Sequence, residues 1–220
     1  MKVIELHESV TASNDADAQA LRIRMKEQGS LLINLMSSPG SGKTTLLGAS
    51  IKALKDEMKI GVMEADIDSS VDAERMEAAG AESIQVHTDG MCHMDAGMSA
   101  QGLASMKKEN DLIFLENVGN LICPAEFDTG AGKNVMILSV PEGDDKPLKY
   151  PLMFQKSDVL VISKIDAMSY FNFSLEDCRK RAKMLNPRIE IYPLSAKTGE
   201  GMDAWIAWLK KEVQKWKEDK

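Results

Sequence analysis

The chain has 220 residues, 44% hydrophobic and 28% charged, with 27 basic and 34 acidic side chains and a net charge of −7. That length buries a full core without staples, and with no basic stripe or tail it argues against nucleic acid as a partner. Three cysteines make no disulfide framework, "MKVIELHESV" lacks the apolar core of a leader, and the apolar runs are strand-sized, so a reduced, cytoplasmic protein with no membrane partner is expected.

Residues 1–29 read as an N-terminal helical extension, with a polar amphipathic helix over 12–28, and residues 30–220 as one domain. The domain opens with "LLINLM" (31–36), a short apolar run of the kind that forms a buried parallel strand. "SSPGSGKTT" (37–45) follows, leading into a helix predicted from Lys43 to Asp56. A strand, a Gly-rich turn and a helix are the context a phosphate-binding loop needs, because the turn's backbone N–H groups and the helix N-terminus then face the phosphates. Within it, Pro39, Gly40, Ser41, Gly42 and Thr45 shape the cradle, Lys43 reaches the β- and γ-phosphates, and the Thr44 hydroxyl is placed for Mg²⁺. Ser37 stands where the usual pattern opens with Gly, which is compatible if Ser37 keeps a negative φ.

"KIGVMEAD" (59–66) is the second predicted strand, "AERMEAA" a helix stopped by Gly80, and "ESIQVH" (82–87) the third strand. "MDAGMSAQGLASMKK" has helical spacing, and "DLIFLENV" (111–118), "NVMILSV" (134–140), "DVLVIS" (158–163) and "IEIYPL" (189–194) complete a set of seven strands, with helices between the last two and after Gly201. Strands alternating with helices predict an α/β fold: a mostly parallel sheet covered on both faces. Such a fold places carboxylates at strand ends to hold Mg²⁺ and orient water. Asp66 and Glu116 stand there, and with Lys43 they are the expected catalytic groups; Gly119 offers a backbone N–H to a γ-phosphate.

"SKID" (163–166) follows a strand and resembles the guanine motif Asn-Lys-x-Asp, with Ser163 in place of Asn. Asp166 accepts from the guanine N1–H and exocyclic amine, a pair adenine lacks, so adenine would leave buried acceptors unmet. The Lys164 stem covers the ring. "SAK" at the end of the next strand brings Ser195 and Ala196, the latter offering its N–H to the guanine O6. GTP, GDP and Mg²⁺ are therefore the expected ligands.

"GMCHMDAGM" (90–98) sets Cys92 beside His93, and Cys123 lies a few residues beyond Gly119 in "NLICPAEFD". Both loops fall at the C-terminal edge of the sheet, where this fold class binds ligands, and the second is the kind of segment that reorganises with a γ-phosphate. Converging, two thiolates and an imidazole suit Ni²⁺ or Zn²⁺ and leave a coordination position open for transfer. A two-fold axis near this loop would pool ligands from two copies. Cys178 reads as a packed core thiol, His7 and His87 as surface or structural residues, and Met91, Met94 and Met98 as packing.

Taken together, "SSPGSGKTTLL", "EADIDSSVDAERM", "GMCHMDA", "ENVGNLICPAEFDTG", "PEGDDKPLKYP", "SKID" and "LSAKTGEGM" resemble the HypB family, the nickel-insertion GTPases of hydrogenase maturation. The resemblance runs from about residue 30 to the C-terminus. It implies the P-loop class that includes the signal-recognition GTPases, a slow GTPase, a nucleotide-dependent homodimer, and, as partners, another maturation factor and the hydrogenase large subunit. It also implies that Cys92, His93 and Cys123 are the family's metal site and that Lys149, in "KPLKYP", reaches the partner subunit's nucleotide. The chain departs from the family in having no Cys motif or His-rich tract near residue 1, Gly97 where members often carry His, and Ser163 for Asn. Rival readings are a metal-storage module with a structural nucleotide, a small-molecule kinase on the same loop, and a GTPase serving another metalloenzyme such as urease, whose own GTPase carries a different cysteine motif.

Overall fold

The computed structural model describes the backbone of residues 6–65, 71–88, 90–107 and 109–219, and the side chains of these except 6–11 and 71–74. Asp66 and the His7 side chain lie outside the described residues.

Helix α1 (Leu6–Gln28) begins before the predicted residue 12 and ends at Gly29. The strands are β1 (Leu31–Ser37), β2 (Ile60–Ala65), β3 (Glu82–Val86), β4 (Leu112–Glu116), β5 (Lys133–Ser139), β6 (Val159–Ser163) and β7 (Glu190–Pro193). All pair in parallel, in the order β3-β2-β4-β1-β5-β6-β7. Each predicted strand is found, with ends shifted by one or two residues. Between them run α2 (Lys43–Leu54), α3 (Val71–Ala79), α4 (Ala96–Ser105), α5 (Cys123–Glu126), α6 (Lys146–Lys149), α7 (Pro151–Lys156), α8 (Leu175–Leu185) and α9 (Met202–Glu218). The short α5, α6 and α7 carry too few residues to show a helical period.

β1 sits at the centre, buried at every position from Leu31 to Ser37, because helices cover both faces and each face takes alternate side chains. On one face Leu31, Ile33 and Leu35 pack with Leu47 and Ile51 of α2 and with Trp205 and Leu209 of α9. On the other, Leu32 joins Met63, Leu115 and, from α1, Leu21 and Met25. Each such aliphatic side chain contributes about 1.5–3 kcal/mol by leaving water. Helix α1 is thus packed into the core of the domain. The Trp205 indole N–H is satisfied by Ser50 Oγ at 2.9 Å, as a buried donor requires.

β1 is flanked by β4 and β5, and the chain reaches each from the opposite side. The crevice beyond its C-terminal end is therefore the topological switch point where open parallel sheets bind ligands. Among the described residues no helix is long and apolar enough to cross a membrane.

Candidate nucleotide and metal site

The loop after β1 turns through Gly40 (φ 72°) and Gly42 (φ 101°), left-handed values that residues with a Cβ rarely adopt. No side chain caps the first turn of α2, which leaves its N–H groups directed at the cradle. Ser37 lies in β1, and the one non-glycine residue with positive φ among the described residues is Lys164, so the Ser-for-Gly exchange introduces no strain. Its fully buried hydroxyl organises the loop: Lys43 Nζ donates to Ser37 Oγ at 2.8 Å, Ser41 Oγ donates to it at 2.6 Å, and Ser37 Oγ donates to Ser38 O at 2.7 Å.

At the end of β4, Glu116 accepts a hydrogen bond from Thr44 Oγ1 at 3.2 Å. A hydroxyl and a carboxylate oxygen that already converge are the hard-oxygen donor set that Mg²⁺ takes, and the two residues fit that ion. Gly119 lies against the phosphate loop: a Cβ there would meet Pro39 Cγ at 3.0 Å and Pro39 N at 3.1 Å.

The base side is closed by β6 and β7. Ser163 Oγ donates to Ser41 O at 2.7 Å and Lys164 Nζ donates to Gly40 O at 2.6 Å, so both residues are tied to the phosphate loop. The turn after β7 is held by Ser195, whose N–H donates to Glu200 O (2.8 Å) and whose hydroxyl accepts from the Thr198 N–H (3.2 Å). A cleft remains between Ser41, Gly42, Thr45, Asp166, Ser195 and Ala196, and Asp166 stands exposed beside it. Lys149 is on the exposed surface of α6, paired with Asp145 Oδ2 at 2.5 Å, a hydrogen bond that raises the Lys149 pKa and lowers that of Asp145.

The structure brings Cys92, His93 and Cys123 together: one ligating atom from each lies within 4.8 Å of the others. Cys92 Sγ is 2.7 Å from Cys123 Sγ and 3.8 Å from His93 Nδ1. The sulfurs are free thiols, farther apart than a disulfide bond of about 2.05 Å. The hydrogen bond to Cys123, with burial second, raises the Cys92 pKa. Two sulfurs this close resist becoming anions together unless a cation joins them. Burial lowers the His93 pKa, which favours the neutral imidazole a metal needs.

Several side chains that set this geometry were not apparent from sequence. Asn117, 1% exposed, accepts from Met94 N (3.1 Å) and Val118 N (2.9 Å) through one oxygen and donates to Asn34 Oδ1 (3.0 Å). It thereby joins the Cys-His loop to the segment after Glu116. Asn120 Nδ2 reaches Cys92 O at 3.5 Å. Phe127 stacks on the His93 ring, centroids 3.9 Å apart and planes 16° off parallel. The only sequence signal for these was their position inside the motifs that Glu116, Gly119 and Cys123 define. Met94 is fully buried and Met98 packs on the core, as expected, whereas Met91 is 38% exposed beside Cys92 and is not a packing residue. Cys178 is buried and His87 exposed.

Residues 31–193 match the model of the CobW/HypB/UreG nucleotide-binding domain. The hydrogenase maturation factor HypB of Escherichia coli K12 is 44% identical over 209 residues, covering 94% of this chain and 72% of that protein. A hydrogenase/urease maturation factor HypB of Helicobacter hepaticus is 43% identical over 206 residues, 91% of this chain and 84% of the relative. In structure, HypB from Helicobacter pylori, crystallised in complex with nickel, superposes with a TM-score of 0.87 at 36% identity, covering 92% of this chain and 96% of the other.

Proposed function

The chain belongs to the CobW/HypB/UreG family and, within it, to HypB, and on that premise we propose that it is a GTP-hydrolysing metallochaperone that delivers nickel to [NiFe] hydrogenase. The observation that carries the proposal is the convergence of Cys92, His93 and Cys123 on the two loops that adjoin Glu116 and Gly119. Phosphate contacts come from the loop around Gly40, Gly42 and Lys43. Mg²⁺ is held by Thr44 and Glu116, with Asp66, outside the described residues, as a further ligand; bound there, it neutralises charge developing on the phosphates. Lys164, Asp166 and Ala196 select guanine. Ser163, in the place of the motif's Asn, tethers this strand end to the phosphate loop.

The γ-phosphate acts on the segment that runs from Glu116 through Gly119 to Cys123. A ligand that orders this segment changes how the Cys123 sulfur stands to Cys92, so metal and nucleotide affinities are coupled, and reciprocally. Cys₂His leaves one of four positions open for handover and takes Zn²⁺ as readily in kind as Ni²⁺. The active form is a homodimer assembled with GTP, in which Lys149 leaves Asp145 for the partner subunit's nucleotide. Other maturation factors and the hydrogenase large subunit, in the cytoplasm, are its partners. The Helicobacter hepaticus relative, named for hydrogenase and urease alike, supports urease as a second client.

Nickel affinity measured with a non-hydrolysable GTP analogue and with GDP tests the coupling. A tenfold difference, about 1.4 kcal/mol, is expected; equal affinities in the two states refute it.

A further inference from the structure

The metal triad is assembled from two segments that the sheet does not join. The parallel ladders stop at Val86 on β3 and at Glu116 on β4, before Cys92 and Cys123 are reached. Spacing between the loops therefore rests on side chains. At the near end, Asn117 and Asn120 supply the bonds to Met94 N and Cys92 O described above.

The far end is held from helix α1. Asn14 Oδ1 accepts from the N–H of Ala96, three residues beyond His93, at 3.0 Å. Its Nδ2 donates to the carbonyl of Asp128, five residues beyond Cys123, at 2.9 Å. One amide thus uses its acceptor on one ligand segment and its donor on the other. Two turns along α1, Arg22 fixes the second anchor: its Nη2 lies 2.7 and 2.8 Å from the two Asp128 carboxylate oxygens, and its Nε donates to Ala131 O at 2.9 Å. Asp128 Oδ1 also accepts from Gly130 N at 2.8 Å, so the carbonyl that Asn14 grips belongs to a turn that is itself braced. Asp95 caps α4 by accepting from Met98 N at 2.8 Å, which makes the Ala96 end rigid in the same way.

We propose that Asn14 is a positioning residue of the metal centre, a bridging amide that sets the separation of the Cys92–His93 loop from the Cys123 segment. The proposal rests on reading Cys92, His93 and Cys123 as a metal site, and it extends that site to a helix that precedes the matched residues 31–193 and packs into the same core. Asn is suited to the task because it offers donor and acceptor on one planar group. Alanine supplies neither, and aspartate keeps the acceptor while setting a carboxylate against the Asp128 carbonyl.

The test is a titration of the full chain with nickel(II) against a competing chelator. Wild type is compared with Asn14→Ala, Asn14→Asp, Met25→Ala and Cys92→Ser, following affinity and the thiolate-to-nickel charge-transfer absorption. Outer groups that orient metal ligands are worth about 10–100-fold in affinity. Asn14→Ala and Asn14→Asp are expected to weaken nickel at least about tenfold, shift the absorption, and leave nucleotide affinity as it is. Met25→Ala removes buried bulk from the same helix, so it is expected to lower stability while sparing nickel. Unchanged nickel affinity and absorption in Asn14→Ala overturns the proposal, as does an equal loss of affinity in Met25→Ala, which would mean packing alone matters. Cys92→Ser with undiminished nickel binding refutes the metal reading itself, on a variant that leaves Asn14 intact.

Discussion

The two halves of the site are built in different ways. The phosphate loop closes on itself over a few contiguous residues, where Ser37 gathers Lys43 and Ser41, and Ser163 and Lys164 after β6 brace it by donating to its own carbonyls. Its shape is set by the left-handed backbone at Gly40 and Gly42 together with these bonds, so the half is preformed. The metal half joins side chains 31 positions apart, at the exposed rim, with spacing set by amides borrowed from other elements. Local sequence specifies the phosphate loop; strand order specifies the metal half, because β2 and β4 are neighbours and the connections beyond β3 and β4 end up side by side. A half whose spacing rests on side-chain bonds at an exposed rim is also the one that a bound phosphate can move.

This contrast predicts separable losses. Lys43→Ala should reduce phosphate release from GTP on the order of 100-fold or more, since the ammonium acts on charge developing in the transition state. Nickel affinity of the nucleotide-free protein should stay within about twofold, because the triad's bonds do not pass through Lys43. A parallel loss of nickel in the nucleotide-free variant would mean the halves form one unit. The reverse experiment is Cys123→Ser. Replacing a soft thiolate by a hydroxyl should weaken nickel by at least about 100-fold, beyond the range seen when only an orienting group is lost. GTP affinity without metal should not change; a fall in it would place Cys123 in the nucleotide cradle.

The same contrast explains what the sequence made legible. All seven strands could be read because apolar runs bounded by polar turns survive any tertiary context. The cradle could be read because its glycines and Lys43 sit at fixed offsets. The three metal ligands could be named from chemistry, since Cys and His are scarce in this chain. Their supports could not. Asn14, Asn117 and Asn120 are ordinary polar residues in sequence, and their value arises from partners up to 114 positions away. Helices α6 and α7 went unread because each is under two turns long, although Pro147 and Pro151 fall in their first turns, where a missing N–H costs nothing.

Within the preformed half, Ser163→Ala offers a finer probe. It removes the donor to Ser41 O and leaves a loop carbonyl unmet beside a buried position, a cost of about 1 kcal/mol. For a domain of this size that is a fall of about 2–4 °C in Tm, together with weaker GTP binding. If guanine nucleotide affinity holds while Tm falls, the tether serves the fold alone and base selection rests on Lys164 and Asp166.

The smallest effect concerns the third thiol. Cys178 is fully buried on α8, and burial, reinforced by the nearby Asp144 carboxylate, pushes its pKa up to about 12. The reactive species is the thiolate, and at pH 9 a thiol of that pKa is only about 0.1% ionised. Alkylation of the native protein should therefore modify Cys92 and Cys123, nickel should protect both, and Cys178 should react only as fast as the domain opens. Raising the pH from 7 to 9 leaves Cys178 at least three units below its pKa, so its modification should not become prompt. Rapid labelling of Cys178 in the native state would show that α8 opens locally, and would place a mobile element next to β6, on the side of the site that the hydrogen bonds otherwise mark as rigid.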